Sequence, residues 1–238
     1  MTELNKLNIK IFADGADIVS MKKAYQEGIV SGFTTNPTLM KKAGITDYEA
    51  FAKEVLSEIQ DLSISFEVFS DDFENMEREA RKIASWGNNI HVKIPITNTK
   101  KESSIPLIKK LSAEGISLNI TAIMPLSQVR EVAEVLNPEV NNIVSIFAGR
   151  IADTGRDPIP IMKEAAQILK PNPNADLLWA SPREVLNIFH ADQCGCRIIT
   201  CTNDILKKLK TLGKDLNQFS LETVQMFYDD AQSSGFKI

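Results

Sequence analysis

Short β-branched segments alternate with longer amphipathic segments along the chain, and this alternation restricts the possible folds more than any other feature of the sequence. Runs of Val, Ile and aromatic residues are typical of strands, whereas apolar residues that recur every three or four positions are typical of helices. Strands are therefore predicted at Lys10–Ala13, Gly32–Thr34, Ser63–Val68, Ile90–Ile94, Ser117–Ile120, Ile143–Phe147, Leu177–Ala180 and Arg197–Cys201.

Helices are predicted between these strands, because amphipathic segments fill most of the gaps. A Gly or Pro shortly after such a segment is typical of a helix end. Pro182 suits the first turn of a helix, where its missing N–H is not needed. The predicted helices are Ile18–Gln26, Asp47–Ile59, Phe73–Ser85, Lys101–Ala113, Leu126–Leu136, Ile159–Leu169 and Pro182–Ala191.

The order of these elements predicts one α/β domain that spans residues 1–238, since no linker or low-complexity segment divides the chain. Eight strands that alternate with helices favour a (β/α)8 TIM barrel over two small domains or an open, doubly wound sheet. The sequence lacks the glycine-rich dinucleotide fingerprint that would support an open sheet. We therefore predict a barrel that needs no cofactor.

The charge pattern argues against two classes of partner. The chain carries 27 Lys and Arg against 31 Asp and Glu, a net charge of −4, and the two signs are interleaved. Nothing therefore points to a nucleic acid or an anionic membrane as a partner.

No apolar stretch is long enough to span a bilayer, and Met1–Lys10 lacks the apolar core of a signal peptide, so we expect a cytoplasmic protein.

The cysteines and histidines do not predict a metal site. Cys194, Cys196 and Cys201 are the three cysteines, and an odd number without a signal peptide argues for reduced thiols. The spacing of Cys194 and Cys196 is not typical of zinc ligands, and His91 and His190 are the only histidines. We therefore predict that the protein holds no metal.

Lys93 is an unusual residue for its position, within the apolar run His91–Ile96 of the fourth predicted strand. If the strand lies at an edge, the lysine stem packs on apolar surface and the ammonium group reaches water. If the side chain points into a core, desolvation disfavours its charged form, and the neutral amine is a nucleophile toward carbonyl groups. The neighbouring strands decide between these alternatives.

Strand alternation places a set of mostly polar side chains at the mouth of the predicted barrel. Successive residues of a strand face opposite sides, so the apolar face packs on the helices and the other face points into the barrel. Near the C-terminal strand ends, the inward residues face the active site of such a barrel. The predicted inward residues are Asp14, Thr34, Asn36, Glu67, Lys93, Asn119, Thr121, Ser145, Phe147 and, by the parity that it shares with Trp179, Ser181.

This inward set favours a functional role for Lys93, because two carboxylates and a lysine are costly to bury as mere packing. Taken singly, Asp14 and Asn36 have another explanation, since each is suited to cap the helix that follows it. Taken together, an amine, carboxylates and hydroxyls suit imine catalysis on a ketone. The protonated imine withdraws electrons and allows an adjacent C–C bond to break.

Roles for individual side chains follow from this chemistry. Carboxylates in a partly desolvated mouth can be tuned toward neutral pH, which makes Asp14 and Glu67 candidates for proton transfer. Glu67 and Thr121 are placed to hold a water between them as the proton relay. Asn36 and Asn119 are placed to form hydrogen bonds with substrate hydroxyls.

A predicted anion site involves the last strands. Arg150 follows the sixth strand, and Ser181 and Arg183 follow the seventh at the predicted start of a helix. Hydroxyls, helix-start N–H groups and guanidinium groups bind anions, and barrels often hold phosphate near their last strands. Alternatively, Arg150 and Arg183 are solvated loop residues or form salt bridges with Asp153 or Glu184.

At these positions the chain resembles the transaldolase family in its short form. The most specific match is Gly-Phe-Thr-Thr-Asn-Pro-Thr at residues 32–38, which is similar to the family signature Gly-Val-Thr-Thr-Asn-Pro-Ser. Residues 219–238 resemble the C-terminal helix of the short forms. Further matches, in order along nearly the whole chain, are residues 11–14 (Ile-Phe-Ala-Asp), 92–95 (Val-Lys-Ile-Pro), 119–121 (Asn-Ile-Thr), 145–150 (Ser-Ile-Phe-Ala-Gly-Arg) and 180–183 (Ala-Ser-Pro-Arg).

The resemblance implies a transferase of carbohydrate metabolism, as in the pentose phosphate pathway, that moves a dihydroxyacetone unit from a ketose phosphate to an aldose phosphate. It implies that Lys93 forms a Schiff base, that Asp14 acts as acid and base, and that Glu67 and Thr121 position the water. It also implies a homo-oligomer (a dimer, pentamer or decamer) in which the helical extension at 219–238 reaches a neighbouring subunit. The implied substrate contacts are Thr34, Asn36, Asn119, Ser145, Phe147 and, for the phosphate, Arg150, Ser181 and Arg183.

Other activities stay open at this point. Aldolases that resemble fructose-6-phosphate aldolase release free dihydroxyacetone and carry glutamine at the position of Glu67, so the glutamate favours transfer. A sugar with an anion other than phosphate, such as a sulfonate, also fits a site with two arginines. A catalytically silent sugar-phosphate-binding barrel is disfavoured because Lys93, Asp14 and Glu67 occur together.

Overall fold

Eight parallel strands form a closed barrel in chain order in the computed structural model, which describes residues 4–237. Hydrogen bonding between the first and last strands closes the barrel, and the predicted (β/α)8 architecture is confirmed. Residues 1–3 and 238, which belong to the predicted domain and to the end of its extension, lie outside the described part. The strands are β1 (Lys10–Asp14), β2 (Gly32–Thr34), β3 (Ser63–Glu67), β4 (Ile90–Pro95), β5 (Leu118–Ile123), β6 (Asn142–Ile146), β7 (Ala175–Trp179) and β8 (Ile198–Thr202).

Helices connect successive strands, and most of their bounds agree with the sequence prediction to within two residues. They are α1 (Ile18–Gln26), α2 (Pro37–Lys42), α3 (Tyr48–Glu58), α4 (Phe73–Ala84), α5 (Ile105–Ala113), α6 (Leu126–Val135), α7 (Ala148–Asp153), α8 (Ile159–Leu169), α9 (Leu186–Gln193), α10 (Asn203–Lys208) and α11 (Leu216–Ser234). Single 3-10 turns occur at Leu4–Lys6 and Leu209–Thr211. The predicted C-terminal extension is confirmed as α11, which begins before residue 219.

Two predicted helix starts are wrong. The helix after β7 begins at Leu186 rather than at Pro182, because the Asn187 side chain accepts hydrogen bonds from the N–H groups of Arg183 and Glu184 and holds this segment in a turn. Similarly, α5 begins at Ile105 rather than at residue 101. Lys101 has a φ of 66°, which is incompatible with a right-handed helix.

Two short helices, α7 and α10, were not predicted, and α2 was expected only as a helix after Asn36, without bounds; each of the three follows a strand directly or within two residues. Each has six residues, which is too short for an amphipathic period to show in the sequence. Their position after the C-terminal strand ends brings them to the same edge of the barrel as the predicted mouth. Of the three, α2 and α7 contribute side chains to that mouth.

The apolar residues form two separate clusters, one outside the sheet and one inside the barrel. The outer cluster lies between the strands and the helices, and it contains the predicted outward residues of β3 and β4, such as Phe66 and Val92. The inner cluster contains Phe12, Ile143, Leu178, Ala180 and Ile198. Strand alternation explains this separation, because inward and outward residues alternate along every strand.

Phe12 fills the barrel interior because the neighbouring strand carries Gly32. The two residues are paired in the β1–β2 register. A Cβ at Gly32 would lie 2.5 Å from the Phe12 ring, so no other residue fits beside this ring without moving it. A cavity of about 390 Å³ lies below Phe12 and opens at the N-terminal end of the barrel. We call it the lower cavity, and we call the cavity at the predicted mouth the upper cavity.

His91 lines that lower cavity and is held by Ser63, whose Oγ lies 2.8 Å from its Nδ1. Burial lowers the pKa of His91 to about 4, because desolvation penalises the charged imidazolium. His91 is therefore neutral near pH 7, and it lies at the end of the barrel opposite to the predicted mouth.

Three further properties of the described chain concern its surroundings. None of the helices in residues 4–237 is long and apolar enough to cross a membrane. The three cysteines are free and buried. Helix α11 has no buried residue, and its large apolar side chains are exposed, Phe227 by 62%.

Candidate active site

A cavity of about 610 Å³ lies at the C-terminal ends of the strands, and all twelve predicted site residues line it. They reach it from the ends of β1 to β7 or from the segments that follow these strands. The structure thus brings together Asp14, Thr34, Asn36, Glu67, Lys93, Asn119, Thr121, Ser145, Phe147, Arg150, Ser181 and Arg183.

Lys93 lies at the buried end of this cavity, with only 7% of the residue exposed. Its Nζ lies 3.1 Å from Glu67 Oε2 and donates a hydrogen bond of 3.0 Å to the carbonyl oxygen of Thr35. Glu67 and Lys93 are directly paired in the β3–β4 register, so the contact is a consequence of strand alignment. The amine is therefore fixed by two neighbouring strands and does not reach bulk solvent as an edge lysine would.

Asn119 on β5 forms hydrogen bonds with serine hydroxyls on β3 and β6. Its Nδ2 donates to Ser65 Oγ at 2.9 Å, and its Oδ1 accepts from Ser145 Oγ at 2.7 Å. All three residues are buried. Because Asn119 is paired with Lys93 in the β4–β5 register, this chain fixes the polar surface next to the amine.

Asp14 is a desolvated carboxylate that faces the same cavity. Burial raises its pKa, while the positive charge of Lys93 and a hydrogen bond from Thr34 partly offset that rise. Thr34 Oγ1 donates to Asp14 Oδ1 at 2.8 Å. A carboxylate whose pKa is raised in this way is suited to give and take a proton.

Thr121 has an unusual environment, because its Oγ1 is buried and lacks a hydrogen-bond partner among the described residues. The register of β5 and β6 shifts just beyond it, and Ala122 has a φ of 62°. Bulges of this kind next to a site redirect a side chain. An unpaired hydroxyl in a polar cavity is suited to bind a water or a substrate oxygen.

One arginine of the predicted anion site is paired with an acidic side chain of the protein itself. Arg183 forms a two-point ion pair with Asp153, with Nε 3.0 Å from Oδ1 and a second contact from Nη2. One of the sequence alternatives, a salt bridge to Asp153, is therefore present. The guanidinium of Arg150 lies 5.5 Å from the centre of the Phe147 ring, at cation–π distance.

Ser181 reaches the cavity by a route that differs from the prediction. Trp179 packs outward in the helix-facing cluster, and Leu178 and Ala180 point inward, so the parity shared with Trp179 does not place Ser181 inside. The chain turns after β7 instead, with a φ of 57° at Ser181, and this turn brings the residue to the cavity.

Asn36 both lines the cavity and caps a helix. Its Oδ1 accepts a hydrogen bond of 3.0 Å from the N–H of Leu39 at the start of α2. The two explanations considered from the sequence are therefore compatible, since the cap fixes the orientation of the amide. The Nδ2 atom remains available as a donor toward substrate.

Three cavity residues with polar or charged side chains, Thr38, Lys42 and Thr200, were not among the predicted site residues. Thr200 on β8 points inward, and its Oγ1 lies 2.5 Å from Thr34 Oγ1. The alternation in β8, with Ile199 and Cys201 outward, was a sufficient signal for it. Lys42 lies at the end of the short helix α2, whose bounds were not predicted, so its place at the mouth had no signal.

Comparison with known proteins assigns the chain to a family. Residues 11–238 match the family described as transaldolase/fructose-6-phosphate aldolase. A probable transaldolase of Dehalococcoides mccartyi is 33% identical over 203 residues, which cover 84% of this chain and 90% of that protein. A probable transaldolase of a Thermoanaerobacter strain is 32% identical over 231 residues, which cover 97% of this chain and 100% of that protein.

Solved structures show the same fold at much lower identity. Dihydrodipicolinate synthase from Rhodopseudomonas palustris aligns with a TM-score of 0.54 and 14% identity, over 81% of this chain and 69% of that chain. This likeness concerns the fold alone. The family match and the two relatives extend over most of the chain, and the chain belongs to the transaldolase/fructose-6-phosphate aldolase family.

Proposed function

We propose that this protein is a transaldolase, which transfers a dihydroxyacetone unit from a ketose phosphate to an aldose phosphate through a Schiff base on Lys93. The observation that carries the proposal is the position of Lys93, buried at the end of a polar cavity of about 610 Å³ that it shares with Asp14 and Glu67. A buried amine beside two carboxylates matches what imine catalysis requires.

Lys93 and Asp14 carry out the covalent and the proton-transfer steps of the proposed reaction. The Lys93 amine attacks the C2 carbonyl of the ketose, and water leaves to form a protonated imine. Asp14, as the carboxylate, takes the proton from the C4 hydroxyl; the C3–C4 bond breaks, its electrons pass to the imine, and the aldose departs. Addition of the resulting enamine to an acceptor aldehyde reverses these steps, and hydrolysis of the new imine releases the product ketose.

Glu67 and Thr121 support the two steps that involve water. The Glu67 carboxylate lies 3.1 Å from the amine, and the unpartnered Thr121 hydroxyl opens onto the same cavity. A water held between them is placed to leave during imine formation and to attack during hydrolysis. The amide of Asn119 and the hydroxyl of Ser145 supply the fixed polar surface for the dihydroxyacetone hydroxyls.

The anion of the sugar is assigned to Arg150, Ser181 and Arg183 at the opposite side of the mouth. A phosphate must compete with Asp153 for Arg183, since the pair uses the two-point geometry that a phosphate would use. Both partners are about half exposed, so their pairing is weak and easily exchanged.

Borohydride trapping tests the proposal directly. The protein is incubated with fructose 6-phosphate, treated with borohydride and weighed by mass spectrometry, and the modified peptide is sequenced. We expect a mass increment equal to the reduced adduct on Lys93. Absence of an increment with every ketose phosphate tried would contradict the imine mechanism.

Glu67→Gln is expected to shift the enzyme from transfer toward release of free dihydroxyacetone. The amide keeps the shape of the side chain but cannot accept a proton, so we expect the ratio of released to transferred dihydroxyacetone to rise by about tenfold. The measurement compares both products from one donor at a fixed acceptor concentration. Glu74→Gln, on the exposed face of α4, is the control, and an unchanged ratio in Glu67→Gln would count against the role.

The proposal includes a homo-oligomer whose contacts involve α11. Seven large apolar side chains exposed on one helix are unusual for a monomer and indicate an interaction surface. A second copy of the chain is the occupant implied by the resemblance to the short transaldolases. The exposed apolar residues of α11 are Leu216, Phe219, Leu221, Val224, Met226, Phe227 and Tyr228.

Phe227→Lys is expected to weaken this assembly, because it places a charge within the apolar surface. Light scattering after gel filtration should give a multiple of the 26.5 kDa subunit mass for the wild type and a smaller assembly for the variant. Gln225→Lys, on the same helix, is the control for the added charge. A wild-type mass of one subunit would rule out the assembly.

A further inference from the structure

A chain of three polar side chains begins at β8 and ends on the acid–base carboxylate. Thr200 Oγ1 lies 2.5 Å from Thr34 Oγ1, and Thr34 Oγ1 lies 2.8 Å from Asp14 Oδ1. Thr34 and Thr200 are buried, Thr200 with 6% of the residue exposed. Bulk water therefore does not replace either hydroxyl contact.

Counting protons fixes the direction of these hydrogen bonds. An ionised carboxylate only accepts, so Thr34 must give its single hydroxyl proton to Asp14. Thr34 can then only accept from Thr200, and Thr200 must be the donor of the second bond. A threonine at position 200 thus donates to the Thr34 oxygen and strengthens the hydrogen bond by which Thr34 stabilises the ionised Asp14.

The packing of β8 shows that the Thr200 hydroxyl is more than part of an apolar core. Its neighbours Ile199 and Cys201 pack outward against the helices, whereas Thr200 lines the upper cavity. A buried hydroxyl is tolerated when it has a specific partner, and its removal leaves that partner short of a hydrogen bond. The partner here is Thr34, one bond away from the carboxylate.

We propose that Thr200 is a positioning residue that acts on Asp14 through Thr34, donating a hydrogen bond that strengthens the bond from Thr34 to Asp14 and so favours the proton-accepting form of Asp14. This rests on the proposed function, in which Asp14 takes the proton from the substrate hydroxyl. Thr200 itself need not touch the reacting atoms.

Other titratable groups face Asp14 and set the background for its titration. Lys93 on β4 favours the ionised carboxylate, and Glu67 on β3 lines the same cavity. The Cys201 thiol on β8 is close enough to interact with Asp14, and burial raises the pKa of this thiol, so it is neutral near pH 7. These groups stay the same when only residue 200 is changed.

The sign of the effect follows from the direction of the bond. Burial raises the pKa of Asp14, and the bond from Thr34 partly offsets that rise. When the Thr34 oxygen loses the hydrogen bond that it accepts from Thr200, its hydroxyl is less polarised and donates a weaker hydrogen bond to Asp14, so the Asp14 pKa rises further. Asp14 then loses its proton-accepting form at a higher pH, and the acidic limb of the pH–rate profile moves upward.

The test compares Thr200→Val, which keeps the shape and removes the hydroxyl, with Thr200→Ser, which keeps the hydroxyl. The rate of donor cleavage is measured as a function of pH in single-turnover mode. We expect the acidic limb of Thr200→Val to move up by about 0.5 to 1 pH unit, a threefold to tenfold lower rate on that limb, and Thr200→Ser to return close to the wild type.

Two further measurements separate the possible failures. Borohydride trapping of the wild type must succeed first, since its failure would refute the proposed function rather than the role of Thr200. Thermal unfolding confirms that Thr200→Val is folded. If trapping succeeds, a Thr200→Val profile that coincides with the wild type, or a rate lowered equally at every pH, overturns the positioning role.

Discussion

Lys93→Met is expected to lower turnover of a ketose phosphate by at least about a thousandfold and to abolish borohydride trapping, because the proposed reaction proceeds through an imine on the Lys93 amine, which methionine lacks. Methionine has a similar length, so it fills the space of a residue that is 7% exposed. The measurement is the kcat for dihydroxyacetone transfer, with mass analysis of the trapped protein.

The controls for this variant concern the other lysines and the fold. Lys10→Met changes a lysine at the opposite end of the barrel, beside the lower cavity, and is expected to leave activity unchanged. Lys42 is the other lysine that lines the upper cavity, so an increment that persists in Lys93→Met and maps to Lys42 would refute the assignment of the amine.

Stability is a second readout of the same change. Lys93→Met leaves the Glu67 carboxylate without its partner in a largely buried place, and removing one member of such a pair costs about 3–5 kcal/mol. We expect the double variant Lys93→Met/Glu67→Gln to recover much of that loss while remaining inactive. Denaturant unfolding of the two variants measures the difference.

Gly149→Ala is expected to disrupt the anion site. Gly149 lies in the first turn of α7, next to the segment after β7, and a Cβ at this position would lie 1.6 Å from the carbonyl oxygen of Ser181. The clash is with backbone, so the segment that carries Ser181 and Arg183 must move. We expect kcat/KM for a ketose phosphate to fall by about a hundredfold, since displacements of about 1 Å have such effects.

The loss of kcat/KM in Gly149→Ala should be specific for substrates that carry a phosphate. A ketose without a phosphate makes no use of the anion site, so its kcat/KM should fall much less. Gly87→Ala is the matched control, because its Cβ would meet only the flexible side chains of Asn89 and Leu56, at 3.3 Å and beyond. Equal losses for the two substrates in Gly149→Ala would show general misfolding and remove the assignment of phosphate to this place.

The barrel and most of its mouth were predictable because the sequence shows two clear periodicities, the alternation of strands with helices and the alternation of inward and outward residues along each strand. Strand alternation placed Asp14, Glu67 and Lys93 inside the barrel correctly, since each lies in a regular strand whose other face is continuously apolar. The same reasoning gave the outward faces of β3 and β4. Period and parity therefore suffice wherever the backbone stays regular up to the strand end.

Prediction failed where the backbone leaves that regularity. Ser181 reaches the cavity through a left-handed turn that no alternation rule describes, and Pro182 does not start a helix because the Asn187 side chain holds the chain in a turn. The pairing of Arg183 with Asp153 depends on how two loops meet, which the sequence offered only as one of several alternatives. The sequence near each residue carries little information about tertiary contacts between loops that are distant along the chain.

Phe12 and its apolar neighbours separate the two cavities inside the barrel, so the upper cavity has a floor. In the proposed transfer, the first aldose must therefore leave by the same opening through which the acceptor arrives. The departing aldose and the acceptor use the same opening and cannot occupy it at the same time, which requires ping-pong kinetics. An acceptor in large excess will also bind the unmodified enzyme and compete with the donor. The apolar layer around Phe12 therefore determines the order in which the two sugars bind and leave.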